Sequence, residues 1–257
     1  MKYLAIRADD LGLSEAVNYG ILKCVKTGLV KTVEVMSNMP ATVHGLDLLK
    51  DRNVVYGLHT NFSTGKPISN PNLVPSLVDE AGNFHKSSYY HNAKVDPVIL
   101  EEALIEVEAQ LLKLKEYLGR MPDYIAFHAI VSMNFFKALN MVAQKYNLRY
   151  FNLTSDLKNI KVGCHRADLY CGSQIDKGYN PINWMKDVIK AIDDESYNIL
   201  VFHPGYIDKP LLDNSSLTYT RCNEVAALCD DELIRYINES NCHLIDYLEL
   251  FGEPSKS

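Results

Sequence analysis

The chain has 257 residues, of which 47% are hydrophobic and 23% charged, and its formal net charge is -6 at pH 7. A chain of this size and composition can bury its own core, so we expect one globular domain over residues 1–257. The negative net charge gives no electrostatic reason to bind nucleic acid or an anionic membrane surface. We therefore expect neither as a partner.

The six cysteines include no CxxC pair and match no zinc-finger or haem spacing, which is typical of a reducing compartment. Arg7, Asp9 and Asp10 interrupt the N-terminal apolar stretch and leave no signal-peptide core. The sequence contains no run of about 18 apolar residues. We therefore expect a cytoplasmic protein without a membrane-spanning helix.

Along the chain, short apolar or β-branched runs alternate with helical patterns. The runs predict strands at Tyr3–Ile6, Thr32–Met36, Val54–Leu58, Tyr124–Phe127, Tyr150–Phe151, Ile199–Phe202 and His243–Ile245. The patterns between them predict helices from the Ser14 cap to Gly28, from Asp96–Pro97 to Gly119, from Asn134 to Tyr146, from Pro181 onward, and through Val225 to Ile237.

Strands that alternate with helices at this spacing indicate an α/β fold with a parallel sheet. About seven such units favour a single-domain βα barrel, distorted or incomplete relative to a TIM-type barrel. An open doubly wound sheet is the alternative, although no GxGxxG follows the first strand. Residues 61–95 are rich in Gly, Pro, Asn and Ser, and this long loop is a candidate lid or oligomer contact.

Five acidic or imidazole residues follow predicted strands at the point where each strand ends. Asp9 and Asp10 follow the first strand, and His59, His128 and His203 follow three later strands. Taken singly, the aspartates could belong to a turn or a helix cap, and each histidine could cap an element or fill the core. In a βα barrel these strand ends meet on one face, where active sites are built. Their shared placement therefore favours one common site.

Two imidazoles and one carboxylate make a ligand set that leaves coordination positions open, as a hydrolytic metal site requires. A second carboxylate beside the first can act on metal-bound water without being a ligand. We assign no role to the histidines that lie in predicted helices, in loops or in the last strand: His44, His85, His91, His165 and His243.

Several blocks of the sequence resemble, in order and spacing, motifs of the YdjC-like carbohydrate deacetylases, the family that includes chitooligosaccharide deacetylase. The block Arg7–Ser14 is similar to the family's Ala-Asp-Asp-Phe-Gly opening, and Gly57–Pro67 is similar to its Gly-Leu-His-Leu-Asn and Gly-Lys-Pro. The later similar blocks are Ser76–Phe84, the His-Pro-Gly at His203–Tyr206, and the Arg-x-x-Glu formed by Arg221 and Glu224. The resemblance extends from the first strand to about residue 230.

The resemblance implies a barrel-like fold, a homodimer and a divalent metal, with magnesium as the first choice and zinc as the second. It implies Asp10, His59 and His128 as the metal ligands. It also implies Asp9 as general base and His203, as an imidazolium, as general acid. The implied reaction is the removal of N-acetyl groups from amino-sugar mono- or oligosaccharides in carbohydrate breakdown.

Three positions depart from the family pattern. Asp123–His128 stands where the family has Ile-Asp-Ser-His, but the two histidines that usually follow are Ile130 and Ser132 here. The implied ligand His128 is retained, whereas the two replaced positions are expected near the metal or the sugar. Arg7 stands where the family often has Asn.

Other functions are compatible with the same residues. A metal-dependent hydrolase of another bond, such as a phosphoester or a different amide, would use the same site. A non-catalytic sugar-binding relative is suggested by Ile130 and Ser132. A glycosidase would need two acids about 5 to 10 Å apart on separate strand ends, and only the Asp9–Asp10 pair is well placed.

Overall fold

A computed structural model describes residues 1–150, 157–174 and 178–252 of the chain. In these residues a single sheet contains β1 (Lys2–Leu11), β2 (Thr32–Val35), β3 (Val55–Thr60), β4 (Tyr124–Phe127), β5 (Ile160–Val162), β6 (His165–Cys171), β7 (Tyr197–Phe202) and β8 (Cys242–Ile245). The helices are α1 (Glu15–Val25), α2 (Thr42–Leu49), α3 (Ser87–His91), α4 (Leu100–Leu118), α5 (Met133–Lys145), α6 (Pro181–Ala191), α7 (Lys209–Asn214), α8 (Tyr219–Leu228), α9 (Asp231–Glu239) and α10 (Tyr247–Phe251). None of these helices has both the length and the apolar character needed to cross a bilayer.

The strand order is β4-β3-β2-β1-β7-β6-β5, and β8 pairs with the first half of β1. Neighbouring strands run parallel except for β5 and β6, which are antiparallel. The sheet is curled and carries helices on its outer side. The predicted incomplete βα barrel is therefore confirmed.

Side chains alternate between two apolar layers along each strand, as strand geometry requires. On β1, Leu4, Ile6 and Ala8 join the larger core beneath the helices, whereas Ala5 faces the interior of the curled sheet. The interior core is completed by apolar side chains from other strands and from α10: Val55, Tyr124, Ala126, Ala167, Leu169, Ile199, Val201, Ile245, Tyr247, Leu248 and Leu250.

Aromatic rings fill one end of the barrel interior. Tyr124 and Tyr247 are fully buried, and their ring centroids are 4.9 Å apart. A β-carbon on Gly57 would lie 2.2 Å from the Tyr124 ring, so only glycine leaves this ring its space. α10 closes the same end and begins with a capping box between Asp246 and Glu249.

The start of α4 differs from the prediction. The helix begins at Leu100 rather than at Asp96–Pro97. The Asp96 carboxylate instead accepts hydrogen bonds from Ser132 Oγ and from the Asn134 backbone N–H, which ties the preceding segment to the start of α5. The end of the helix is as predicted, because Gly119 takes the left-handed conformation with φ of 68°.

In the second half of the chain, the structure bears on two further predictions and contains one strand pair that was not predicted. The helix predicted through Val225 to Ile237 is two helices, because the Asp230 carboxylate accepts from the Leu233 N–H and starts α9 there. Tyr150 lies outside any strand, and Phe151 lies outside the described residues. The antiparallel pair of β5 and β6 was not predicted.

The first residues of the long loop at 61–95 are hydrogen-bonded to side chains of α4. The buried Glu106 carboxylate accepts hydrogen bonds from the backbone N–H groups of Ile68 and Ser69, each at 2.9 Å. The Gln110 side chain accepts from the Asn61 N–H and donates to the Asn61 carbonyl, at 2.9 and 2.7 Å. These bonds fix the chain that leaves β3 directly after His59.

α1 packs directly on the loop that follows β7. A β-carbon on Gly20 would lie 2.5 Å from the Gly205 Cα, two residues beyond His203. Helix propensity alone would favour alanine by about 1 kcal/mol. The backbone contact is expected to outweigh it, so Gly20→Ala should lower the free energy of unfolding by about 1 to 3 kcal/mol in urea denaturation. The exposed substitution Lys23→Ala should stay within about 0.5 kcal/mol of wild type, and an unchanged Gly20→Ala would contradict the close approach.

Candidate active site

The residues predicted from strand ends lie together at the carboxyl ends of the strands. His59, His128 and His203 each come an even number of residues after an inward-facing residue of β3, β4 or β7. Asp9 comes four residues after the inward-facing Ala5. Strand alternation therefore directs all four side chains toward the barrel interior.

A β-bulge brings Asp10 to the same site as Asp9. In a regular strand these neighbours would point to opposite faces. The pairing of β1 with β2 changes register between Ala8 and Leu11, where three steps on β1 oppose two on β2. Asp10 has φ of 74°, a left-handed conformation that is uncommon for a residue other than glycine. The bulge thus turns both carboxylates toward the strand ends.

Donor atoms of Asp10, His59 and His128 form a compact triangle. Asp10 Oδ1 lies 3.2 Å from His59 Nε2 and 3.1 Å from His128 Nδ1, and the two nitrogens are 3.0 Å apart. Asp10 Oδ1 is buried and has no hydrogen-bond partner among the described residues. Atoms that bind one ion at about 2.1 Å lie roughly 3.0 to 3.4 Å apart at adjacent positions. The three predicted ligands therefore fit a divalent cation.

The charges around the triangle favour a cation. Burial alone would raise the pKa of Asp10, but Arg221, whose Nη2 donates to Asp10 Oδ2 at 2.7 Å, lowers that pKa well below its ordinary value. Burial alone would lower the pKa of His59, but Glu34 and the aspartates raise it to about 10. Burial lowers the pKa of His128. A metal ion would therefore replace a proton on His59.

Asp9 lies beside the triangle and is held by Arg7. Arg7 Nε donates to Asp9 Oδ1 at 2.7 Å, and Nη2 donates to Oδ2 at 2.8 Å, which is a two-point pairing. Burial raises the pKa of Asp9 to about 7, against the opposing effect of Arg7. Asp9 Oδ2 lies 4.0 Å from His59 Nε2 and 3.9 Å from His203 Nε2. This oxygen therefore faces the space between the triangle and His203.

Glu34 on β2 also belongs to the site and was not predicted from the sequence pattern. Its buried Oε1 lies 2.8 Å from Arg7 Nη1 and accepts from the Tyr124 hydroxyl at 3.1 Å, and its Oε2 contacts His59 Nδ1. Asp9, Glu34 and His59 are close enough to form a second candidate ligand set. The Arg7 guanidinium already binds the carboxylates of Asp9 and Glu34. The positive charge at this second set therefore comes from Arg7, a side chain of the protein itself.

His203 faces Asp9 across the space beside the triangle. Its Nδ1 lies 3.1 Å from Ser173 Oγ, and its backbone N–H donates to Glu224 Oε2 at 2.6 Å. Burial lowers the pKa of His203 to about 3 against the opposing charge of Asp10, and the nearby Arg221 and His59 act in the same direction as burial. Burial therefore favours a neutral resting ring, whereas an imidazolium was expected from the sequence. An acid role requires that His203 gain a proton during turnover.

The two positions that depart from the family's histidines have structural contacts in this chain. Ile130 is fully buried in the larger core. Ser132 caps α5, since its Oγ accepts from the Phe135 N–H at 3.0 Å and donates to Asp96 at 2.8 Å. Both residues stabilise the segment that follows His128, and the donor triangle is complete without them.

Glu224 is buried behind His203 and has a perturbed acidity. It accepts from the His203 N–H and from the Tyr179 hydroxyl, the latter at 3.0 Å. Burial nevertheless raises the pKa of Glu224 from 4.5 to about 7. Between these two values the folded chain keeps the proton while the unfolded chain releases it, so stability falls as the pH rises through this window.

A glutamine at position 224 removes this titration while keeping an acceptor for the His203 N–H. We expect the free energy of unfolding of wild type, relative to Glu224→Gln, to fall by about 3 kcal/mol between pH 4.5 and 7 and then to level off. Urea denaturation of both proteins at pH 5, 6, 7 and 8 measures the difference. Parallel pH profiles for the two proteins would contradict the raised pKa.

Comparison with known proteins identifies the family. The family model described as YdjC-like protein matches residues 3–239. A carbohydrate deacetylase of Clostridium beijerinckii is 31% identical over 254 residues, which cover 96% of this chain and 99% of that protein. A solved structure from Enterococcus faecalis, of a protein named for cellobiose-phosphate cleavage, has a TM-score of 0.82 and 25% identity, and the match covers 97% of this chain and 98% of that one. The solved T48 deacetylase shares the fold, with a TM-score of 0.54 and 13% identity. The match covers 99% of this chain and 94% of that one. This chain therefore belongs to the YdjC-like protein family.

Proposed function

We propose that this chain is a metal-dependent carbohydrate deacetylase that hydrolyses N-acetyl groups of amino sugars. The proposal rests on the donor triangle of Asp10, His59 and His128, with Asp9 Oδ2 and His203 Nε2 beside it. Relatives named carbohydrate deacetylase, matched over nearly their full length, support the substrate class. The alternative of a non-catalytic relative is suggested by Ile130 and Ser132, and we favour the enzyme because the donor triangle uses neither position.

For the metal, we propose zinc ahead of magnesium. The family resemblance placed magnesium first, but two of the three donors are imidazole nitrogens. Magnesium prefers oxygen ligands, whereas imidazole suits zinc and other transition ions. Zinc, magnesium and manganese added to metal-free protein would rank the ions by binding and by restored turnover.

Asp9 is placed to act as the general base. A bound divalent ion would polarise the acetyl carbonyl and lower the pKa of a nearby water. Arg7 binds both oxygens of Asp9 and so restricts the carboxylate to one orientation. Oδ2 faces the space beside the triangle, where it would accept the proton of the attacking water.

His203 is placed to act as the general acid after it gains a proton. Its Nε2 lies 3.9 Å from Asp9 Oδ2, so the proton that Asp9 accepts has a short path to the ring. Ser173 Oγ at 3.1 Å from Nδ1 keeps Nε2 pointed toward Asp9. Burial keeps the resting ring neutral, so it would accept this proton only as negative charge develops on the attacked carbonyl, and it would then pass the proton to the departing sugar amine.

The experiment that tests the proposal measures acetate and free amine after incubation with N-acetylglucosamine and its oligomers, with and without a 6-phosphate. Metal-free protein, zinc-loaded protein and magnesium-loaded protein are compared. We expect equal amounts of acetate and amine, formed only with a divalent ion. The same samples are assayed for released phosphate and for cleaved glycosidic bonds. Either product in place of acetate would reject the proposal in favour of another hydrolase.

The remaining expectations also stay proposals. We propose one domain over residues 1–257, a cytoplasmic location and a homodimer. The scattered cysteines support the location, since the six are all free thiols in the structure. The family resemblance supports the dimer. Light scattering coupled to size-exclusion chromatography tests the oligomeric state, and a monomer at micromolar concentration would reject it.

A further inference from the structure

We propose that Glu34 is a positioning residue that orients the metal ligand His59 through its Nδ1, and that Arg7 joins this carboxylate to the base Asp9 in one buried unit. The inference rests on the proposed role of His59 as a ligand. It extends the site to a strand, β2, that carries none of the predicted site residues.

The first observation is that Glu34 is a fully buried carboxylate whose contacts all come from the barrel interior. Its Oε1 lies 2.8 Å from Arg7 Nη1 and accepts from the Tyr124 hydroxyl at 3.1 Å. Its Oε2 contacts His59 Nδ1. A buried carboxylate is costly unless it is paired and hydrogen-bonded, and here Arg7 pairs with Oε1 and the Tyr124 hydroxyl donates to it.

The second observation is the way the His59 ring is held. An imidazole ring that donates from Nδ1 carries its free electron pair on Nε2. With Nδ1 against Glu34, Nε2 is the nitrogen directed at Asp10 Oδ1, at 3.2 Å. Partners of this kind fix the tautomer and the orientation of histidine ligands and raise their basicity. Glu34 therefore holds the ring with Nε2 toward Asp10 Oδ1, where a cation would replace the proton on Nε2.

The third observation is the shared guanidinium. Arg7 directs Nε and Nη2 to Asp9 and Nη1 to Glu34, so one rigid planar group sets the spacing of the two carboxylates. The carboxylate that orients a ligand and the carboxylate proposed as base are therefore coupled through one side chain. This arrangement also gives a role to Arg7, which stands where the family often has Asn.

The test measures the affinity of the purified full-length protein for zinc, by competition with a chromophoric chelator. We expect Glu34→Gln to weaken zinc binding by about 10- to 100-fold, the usual effect of losing the partner of a histidine ligand. Glu34→Asp keeps the charge beside Arg7 and shortens the reach toward His59 by one methylene, so it should also weaken binding. Glu106→Gln is the matched control, because Glu106 is equally buried but bonds to the loop at 61–95.

A purely structural role for Glu34 would lower the stability of the metal-free protein and leave the zinc affinity unchanged. We therefore record thermal unfolding of the metal-free variants and the visible spectrum of the cobalt-loaded proteins, which reports ligand geometry. Wild-type zinc affinity and an unchanged cobalt spectrum in both Glu34→Gln and Glu34→Asp would overturn the inference. If Glu34→Gln does not fold, Glu34→Asp decides alone.

A ligand variant distinguishes failure of this inference from failure of the proposed site. His128→Ala should lose zinc binding whether or not Glu34 orients His59. Normal binding in the Glu34 variants together with lost binding in His128→Ala rejects the positioning role and keeps the metal site. Normal binding in all of these variants rejects both.

Discussion

Alanine in place of His128 is expected to abolish measurable zinc binding and to reduce kcat/KM for the acetylated substrate by about 10³-fold or more. The imidazole supplies one corner of the donor triangle, and its Nδ1 lies 3.0 to 3.1 Å from the other two donors. Loss of a ligand should exceed the roughly 10- to 100-fold cost of losing a partner of a ligand. The metal's contribution of several kcal/mol to catalysis would be lost with it.

His128 is the most suitable ligand to remove because its loss should leave the fold intact. Its backbone N–H donates to the Thr60 carbonyl, a bond that alanine retains. Asp10→Asn is a weaker test, because it would leave the buried Arg221 guanidinium without its carboxylate and cost about 3 to 5 kcal/mol of stability. Equilibrium dialysis with metal analysis measures the stoichiometry. One tightly bound zinc per chain in His128→Ala would reject the triangle as the metal site.

Much of the site could be predicted because strand alternation and barrel topology are simple rules. His59, His128 and His203 follow apolar strands, and parallel strands of a barrel bring their carboxyl ends to one face. For the histidines, the prediction needed only the strands β3, β4 and β7, which are short, apolar and easily located. The structure brings these three residues together with Asp9 and Asp10 of β1.

Glu34 and Ser173 contribute to the site and were not predicted, for different physical reasons. Glu34 lies inside an otherwise apolar strand, where an acid at the inward position two residues after Thr32 was a signal that could have been used. Ser173 follows β6, and β6 was not predicted because its sequence, with His165, Arg166 and Asp168, lacks an apolar run. The strand does alternate, with Ala167 and Leu169 buried between polar neighbours, and this period-2 signal could have been used.

The protonation state of His203 could not be predicted from the sequence either. Acidity depends on burial and on the partner of the other ring nitrogen, and both are set by residues distant in the chain. The partner of Nδ1 is the Ser173 hydroxyl, which can accept a hydrogen bond from the ring but carries no charge to stabilise an imidazolium. A carboxylate at this position would have raised the pKa instead.

Asparagine in place of Asp9 is expected to keep zinc affinity within about threefold of wild type while kcat falls by about 10²- to 10⁴-fold, the range of general base catalysis. Asp9 is not a corner of the donor triangle, and its Oδ2 lies 4.0 Å from His59 Nε2. The amide keeps the size of the side chain and one acceptor for Arg7 but cannot take a proton from water. KM should change little, because the side chain acts on the attacking water rather than on the sugar.

The Asp9→Asn variant also tests which of the neighbouring residues Asp9 and Asp10 is the metal ligand and which is the general base. Asp9 and Asp10 reach the site together through the bulge in β1, so position in the sequence does not decide which of them binds the metal. The charged contacts favour Asp10 as the ligand, because Arg7 binds both oxygens of Asp9, whereas Arg221 binds only Oδ2 of Asp10 and leaves Oδ1 directed at His59 and His128. If Asp9→Asn lost zinc together with activity, Asp9 would be a ligand, and the base would have to be sought elsewhere in the site.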